Sequence, residues 1–186
     1  MRIFTSRPSR LAVLAGAIAT TSVLATTAPA MAKGGPERAT ATIEDATGQT
    51  IGSARLTEHR DGGTRIKVHV KGLAPGEHGI HIHAVGACDG PAFTTAGPHF
   101  NPDGRQHGLD NPLGAHAGDL PDLVVNEAGV GRLRAVTDAV TISSGPRSLL
   151  DGDGSAIVVH AAPDDDVTDP TGNSGARVAC GVIAAR

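Results

Sequence analysis

The stretch Gly79-Ile80-His81-Ile82-His83-Ala84-Val85 alternates aliphatic and imidazole side chains over its central residues. Successive side chains of a β-strand point to opposite faces, so this alternation predicts a strand with the two isoleucines on one face and the two histidines on the other. We expect Ile80 and Ile82 in the core, which leaves both imidazoles together on the outer face, where they could bind a metal. A His-x-His pair alone is a weak indication of such a site.

Similar short runs lie on both sides of this strand. They are rich in β-branched residues and end at Gly, Pro, Asp or Asn, a pattern typical of strands joined by turns. The runs cover residues 40–44, 66–70, 123–126, 130–136, 156–160 and 178–183. Seven or eight strands in a chain of 186 residues predict one all-β domain, an antiparallel sandwich or barrel. With no Trp, no Tyr and three Phe, its core must be aliphatic.

The N-terminal segment has the features of an export signal. Three arginines come first, then an almost wholly apolar stretch, then Ala30-Met31-Ala32, which has the A-x-A form of a cleavage site. The apolar stretch is shorter than the roughly 20 residues of a spanning helix. We therefore expect residues 1–32 to be a signal peptide that is removed and residues 33–186 to be the mature domain, secreted or held in the cell envelope or periplasm.

Net charge limits the partners of the mature chain. The whole chain has a formal charge of −3, and loss of the three leader arginines leaves 13 basic and 19 acidic side chains, a charge of −6. No basic patch or basic helix is visible in the sequence. We therefore expect no nucleic-acid partner. Separately, we expect no membrane partner once the signal peptide has been removed.

Export also bears on the two cysteines. Cys88 and Cys180 are the only pair in the chain and are far apart in sequence. In an oxidising compartment a distant pair predicts a structural disulfide. The alternative is a pair of metal-binding thiolates, which the absence of C-x-x-C spacing disfavours.

The segment 87–121 is long, rich in Gly and Pro, and weakly periodic, so something must hold it in place. It contains His99, His107, His116 and Asp119. Three imidazoles and one carboxylate form a closed tetrahedral set, which predicts a structural zinc site that orders the loop. The alternative is a polar surface loop that happens to contain histidines. Farther along, His160 ends a predicted strand, and by itself it indicates only a surface histidine.

Taken together, these segments resemble the copper/zinc superoxide dismutases over nearly all of the mature chain. The matching motifs occur in the family's order: HGIHIH at 78–83, AGPHFNP at 96–102, HG at 107–108, HAGDLP at 116–121, VVHA at 158–161 and GNSGARVACGVI at 172–183. The resemblance implies an eight-stranded antiparallel Greek-key β-barrel with long metal-binding and active-site loops. It also implies an oxidoreductase that converts superoxide to dioxygen and hydrogen peroxide by cycling copper between Cu(II) and Cu(I).

The resemblance implies a role for each site residue. Copper would be bound by His81, His83, His99 and His160, and zinc by His99, His107, His116 and Asp119. His99 would bridge the two metals and pass a proton to the product. Asp164 would join His81 to His107, Arg177 would dock the anion, and Cys88 would pair with Cys180. His78, His59 and His69 would be structural or surface residues.

Some features leave alternatives open. The segment between His160 and Arg177 is acidic and contains no Lys, so electrostatic steering of superoxide could be weak or come from elsewhere. The mixture of bacterial-like and eukaryote-like motifs leaves a possible homodimer undecided. A non-catalytic copper- or zinc-binding protein on the same fold is the second functional hypothesis, and a purely structural or adhesive sandwich is the third.

Overall fold

The computed structural model describes residues 37–60 and 62–186. The predicted signal peptide and its boundary at residue 33 lie outside the described residues. The described chain contains nine strands and one short 3-10 helix, Thr94–Ala96. The strands are β1 (Arg38–Asp45), β2 (Thr50–Glu58), β3 (Thr64–Lys71), β4 (Gly76–His78), β5 (Ile80–His83), β6 (Leu123–Val125), β7 (Val130–Thr137), β8 (Ser155–His160) and β9 (Arg177–Ala185). Across these ranges, no helix is long and apolar enough to cross a membrane.

All nine strands belong to one antiparallel sheet in the order β4-β6-β7-β3-β2-β1-β9-β8-β5. The two end strands of this order, β4 and β5, follow one another in the chain with only Gly79 between them. The sheet therefore curls into a nearly closed barrel, in which β4–β5 acts as one interrupted strand. Counted in that way the barrel has eight strands, and the predicted all-β antiparallel Greek-key barrel is confirmed.

The sequence pattern missed two of the strands. β2 includes Gly52, Ser53 and Ala54, which have low β-propensity, yet it pairs along its full length with β1 and β3. β4 is only three residues long and is held by β6. In both cases pairing with neighbouring strands, and not local preference, makes the strand.

The core is aliphatic, as expected. Ile80 and Ile82 are fully buried in the main core cluster with residues such as Ile43, Leu56 and Ile157. The imidazoles of His81 and His83 are on the other face of β5 and are also fully buried, because the long loop covers them.

The loop after β5 lies along the outer face of that strand by backbone pairing. Ile82 donates its amide to the Gly118 carbonyl and accepts from the Phe100 amide, both at 2.8 Å, and Gly118 donates to Phe100 at 2.9 Å. A Cβ at Gly118 would overlap the Ile82 carbonyl, so only glycine permits this approach. The pairing sets His99 beside His83 and Asp119 beside His81.

Candidate metal centre

The structure gathers all six predicted histidine ligands and Asp119 into one buried cluster over the outer face of β5 and the end of β8. Every member is buried, and three of the imidazoles are fully excluded from solvent. The members are His81, His83, His99, His107, His116, Asp119 and His160. Two groups of possible ligand atoms can be distinguished within it.

The first group consists of His81, His83, His99 and His160, whose ligand atoms lie within 4.8 Å of one another. Six buried side-chain polar atoms in the described ranges have no hydrogen-bond partner, and four of them belong to this group. They are Nδ1 of His81 and Nε2 of His83, His99 and His160. Buried polar atoms are rarely left without partners, and four converging nitrogen lone pairs fit a metal with imidazole ligands, such as Cu(II).

The opposite nitrogen of three of these rings is held by the protein. His81 Nε2 donates to Asp164 Oδ2 (2.5 Å), His83 Nδ1 to the Gly97 carbonyl (2.9 Å) and His160 Nδ1 to the Gly175 carbonyl (3.2 Å). Because each of these nitrogens carries the proton, the inward nitrogen of the neutral ring keeps its lone pair. This is the arrangement that orients a histidine as a metal ligand.

Burial keeps these imidazoles neutral. Desolvation lowers the pKa of His81 and His160 to about 4 and that of His83 to about 2. The hydrogen bond to Asp164 opposes this shift at His81, and the charge of Arg177 adds to it at His83 and His160. The rings are therefore available as ligands at neutral pH without first losing a proton.

The second group surrounds Asp119 Oδ1. His107 Nδ1 lies 3.0 Å and His99 Nδ1 3.1 Å from this oxygen, and His116 Nδ1 lies 3.5 Å from it and 3.3 Å from His99 Nδ1. Ligands about 2.0–2.1 Å from a tetrahedral zinc ion are about 3.3 Å from one another. These four distances, 3.0–3.5 Å, are close to that spacing.

His81 also lies close to this second group, since its ligand atom is within 4.8 Å of those of His99, His107 and Asp119. However, His81 Nε2 is bonded to Asp164, and its Nδ1 belongs to the first group. His116 Nδ1 contacts His99 and Asp119, which are both members of the second group. His116 therefore fits this group better than His81 does.

The charge of the second group favours a cation. Burial opposes ionisation of Asp119, but contacts with His107 and His99 and the Gly108 amide outweigh it and hold the pKa of Asp119 well below its usual range. Burial lowers the pKa of His107, but the hydrogen bonds and negative charges of Asp119 and Asp164 outweigh burial and raise this pKa to about 9.

His99 belongs to both groups. Its Nδ1 faces Asp119 and His116, while its Nε2 is one of the four unpartnered nitrogens of the first group. One imidazole thus presents a nitrogen to each side, which is the geometry that a bridging ligand needs.

Asp164 links the two groups from behind. Its Oδ2 accepts from His81 Nε2 and its Oδ1 accepts from His107 Nε2 at 3.0 Å. The amide of Asp166 and the hydroxyl of Ser174 also donate to this carboxylate. These hydrogen bonds outweigh burial and hold the pKa of Asp164 well below its usual range. A Cβ at Gly172 would overlap the carboxylate, so the turn at that residue must be glycine.

Two supporting carboxylates were not found from the sequence. Asp122 accepts the Asp164 amide at 3.2 Å, and Asp169 accepts the His107 amide at 2.6 Å. Asp169 is exposed to solvent, and its Oδ1 nevertheless accepts this amide. Both contacts are to backbone amides distant in sequence, so no pattern of residue types predicts them. His78 is structural, as expected, since its ring nitrogens contact the carbonyls of His160 and Ala74.

Arg177 stands beside the first group. Its guanidinium donates to the carbonyls of Phe93 and Gly97, both at 2.7 Å, and the Gly97 carbonyl also accepts from His83. The side chain is only half-buried, so the cation is held near the imidazoles while still reachable from solvent. The predicted disulfide is confirmed: Cys88 in the loop is bonded to Cys180 of β9, three residues from Arg177.

Comparison with known proteins gives one consistent family. The sequence model for copper/zinc superoxide dismutase (SODC) matches residues 50–183. The chain is 44% identical over 148 residues to a superoxide dismutase [Cu-Zn] of Aquifex aeolicus, covering 78% of this chain and 86% of that one. It is 42% identical to the superoxide dismutase [Cu-Zn] of Caulobacter vibrioides, with 78% and 84% covered. A solved SOD-like protein from Bacillus subtilis superimposes with a TM-score of 0.71 at 37% identity, covering 77% of this chain and 96% of that one.

Proposed function

The chain belongs to the copper/zinc superoxide dismutase family, and from that premise we propose a role for each residue of its buried cluster. It is a superoxide dismutase, an oxidoreductase that converts superoxide to dioxygen and hydrogen peroxide with copper and zinc as its metals. The observation that carries the assignment of residues is the convergence of four unpartnered imidazole nitrogens in a buried site.

In this proposal His81, His83, His99 and His160 hold copper through those nitrogens. His99, His107, His116 and Asp119 hold zinc, so that His99 is shared. Copper, when bound, supplies the one-electron chemistry, because it can accept an electron from one superoxide and return it to the next, whereas zinc has no redox chemistry. Zinc would order the loop, which has little apolar content of its own.

The chain's own residues supply the anion site and a proton. Arg177 offers a fixed cation for a small anion, since its guanidinium is anchored by two backbone carbonyls. His99 Nε2 has no hydrogen-bond partner in the protein, so at the stage when this nitrogen is not bound to copper it would hold a proton and pass it to the reduced product. Hydrogen peroxide leaves with two protons, of which His99 would provide one and solvent the other.

The approach of superoxide is expected from the Arg177 side. A groove of about 540 Å³ opens over His99 and His116, but it is lined by Asp151, Asp153 and Asp169 with only Arg105 as a cation. Such a lining repels an anion. We therefore expect the positive charge of Arg177 to attract superoxide to the site.

We predict that Arg177→Ala lowers kcat/KM for superoxide by about 10- to 100-fold, within the roughly 10- to 1,000-fold range by which charges that line a cleft raise the encounter rate. Arg177→Lys is the matched control, because it keeps the charge but cannot make both carbonyl hydrogen bonds. We expect it to keep an intermediate activity that falls with ionic strength. Unchanged kcat/KM in the alanine variant, at full copper content, would remove Arg177 from the anion site.

We predict that Asp164→Asn weakens the binding of both metals by about 10- to 100-fold, as is usual when the carboxylate behind a ligating histidine is lost. An amide offers one acceptor, so it cannot accept from both His81 and His107. The measurement is competition with a chelator of known affinity, done separately for copper and zinc. Asp165→Asn is the control, since Asp165 is exposed and contacts no imidazole. An equal effect in both variants would contradict the proposed bridge.

We also propose that residues 1–32 direct export and are removed, leaving the domain 33–186. The basic and apolar order of that segment supports this, and so does the disulfide, which persists in oxidising compartments. The non-catalytic alternative is not favoured, because no position of the expected copper set, the zinc set or the anion site is substituted.

A further inference from the structure

A basic face covers the outside of the barrel on strands β2, β3 and β7. Arg55, Lys67 and Arg134 lie directly opposite one another across these three strands, and His69 lies opposite Arg132 in the adjacent row. Directly paired residues of antiparallel strands have their side chains on the same face. The exposed cations of the basic face are Arg55, Arg65, Lys67, Lys71, Arg132 and Arg134.

The positive charge of this face is not compensated. The outward positions of the three strands contain no Asp or Glu, and none of the six cations forms an ion pair within the described residues. In the row of Arg132 the next acidic residue is Glu77 on β4, separated from Arg132 by β6. A chain of net charge −3 therefore concentrates half of its described Lys and Arg side chains on one surface.

The cations form a two-dimensional grid. Neighbouring strands are about 4.8 Å apart, and residues on the same face of one strand are about 6.6–6.8 Å apart. A shallow groove of about 410 Å³ runs among Arg55, Lys67, Arg132 and Arg134. A grid of this kind fits an array of phosphate groups spread over a plane better than a single line of them.

Apolar side chains border the basic face. Val124, opposite Arg132, is 58% exposed, and Val136, opposite Arg65, is 69% exposed. Apolar groups beside cations favour the boundary between lipid headgroups and acyl chains. The face carries no aromatic side chain on which a base could stack, since Phe93 and Phe100 are buried elsewhere, and this disfavours single-stranded nucleic acid.

We propose that the basic face binds the surface of an anionic phospholipid membrane. This departs from the expectation that the mature chain has no membrane partner once the signal peptide has been removed. In the sheet order, β3 is separated from β5 and β8 by β2, β1 and β9 on one side and by β7, β6 and β4 on the other. A barrel resting on its basic face would therefore hold the metal cluster of β5 and β8 away from the lipid.

The test is sedimentation of the metal-loaded domain, residues 33–186, with vesicles of phosphatidylcholine containing about one-third phosphatidylglycerol, and with vesicles of phosphatidylcholine alone. All described strands lie in this part of the chain. We expect binding only to the anionic vesicles at about 0.05 M salt, and its loss at about 0.5 M salt, where the Debye length is a few ångströms.

The variant Arg55→Thr/Lys67→Thr/Arg134→Thr removes the central row with residues that suit a strand. Each cation near an anionic surface raises the partition coefficient about fivefold. Removing three cations should therefore lower the partition coefficient by about 100-fold, and dismutase activity in solution should be retained. Arg105→Thr/Arg147→Thr, outside the basic face, should leave binding unchanged. If wild-type protein does not bind anionic vesicles, or if the triple variant that is still active binds them equally well, the proposal is overturned. Binding to duplex DNA and not to vesicles would also overturn it.

Discussion

The variant His160→Ala is expected to lose superoxide dismutation almost completely while it keeps its zinc. His160 contributes one of the four unpartnered nitrogens, and its ring is buried at the end of β8. It provides none of the atoms proposed for zinc, which belong to His99, His107, His116 and Asp119. Removing the imidazole leaves three nitrogens and a cavity on the copper side, with the zinc side intact.

We expect the dismutation rate to fall by more than about 100-fold. Loss of a residue that only supports a metal-ligating histidine costs up to about 100-fold in metal affinity or activity, and this variant removes the ligand itself. Metal content by elemental analysis and dismutation rate should be measured on the same sample. His69→Ala is the matched control, since its imidazole lies on the outside of β3 and far from the cluster in the sheet. A variant without His160 that retained both copper and full activity would contradict the proposed ligand set.

Removing the disulfide with Cys88→Ser/Cys180→Ser should lower the free energy of unfolding of the metal-free domain by about 4–5 kcal/mol. The bond closes a loop whose ends are 92 residues apart in sequence, and in the chain-entropy model a loop of that length is worth about this much. Urea denaturation of wild type and variant under identical conditions measures the difference, provided that the slope of the transition is unchanged.

The disulfide should also affect the anion site. Cys88 belongs to the same loop as Phe93 and Gly97, whose carbonyls anchor Arg177. Loss of the bond should therefore lower kcat/KM at full copper occupancy, and chemical reduction of the wild type should reproduce both effects. A double-serine variant as stable as the oxidised wild type would show that the packing of β9 and the loop suffices without the bond.

The parts of this fold that follow a simple period could be predicted from the sequence. The alternation around His81 and His83 has the period of a strand, and the structure has Ile80 and Ile82 in the core and both imidazoles on the opposite face. The same reasoning failed for β2, whose residues have weak β-propensity and which depends on two partner strands.

The supporting residues of the site were harder to find for a different reason. Asp122 and Asp169 act by accepting backbone amides, at Asp164 and His107, and such contacts depend on how loops distant in sequence meet. The metal ligands can be predicted from the sequence because histidine and aspartate in such patterns are chemically distinctive. A carboxylate that accepts from a backbone amide cannot be predicted in this way, because almost every residue has such an amide.

The basic face shows the same limit on a larger scale. Its charges are single residues separated by other residues along three strands, and no one of these strands carries more than three of the six cations. The sequence statement that the chain has no basic patch was wrong, because only the register of β2, β3 and β7 brings the charges together.

The most direct test of the central claim is a titration of copper into the zinc-loaded domain, residues 33–186, with the rate of superoxide dismutation measured at each step. One copper site per chain, built from the four unpartnered nitrogens, predicts that activity rises in proportion to added copper and stops rising at one copper per chain. The zinc-only protein should be inactive. If activity stays at background when one copper per chain is bound, or if it continues to rise well beyond that ratio, the account given for the site is contradicted.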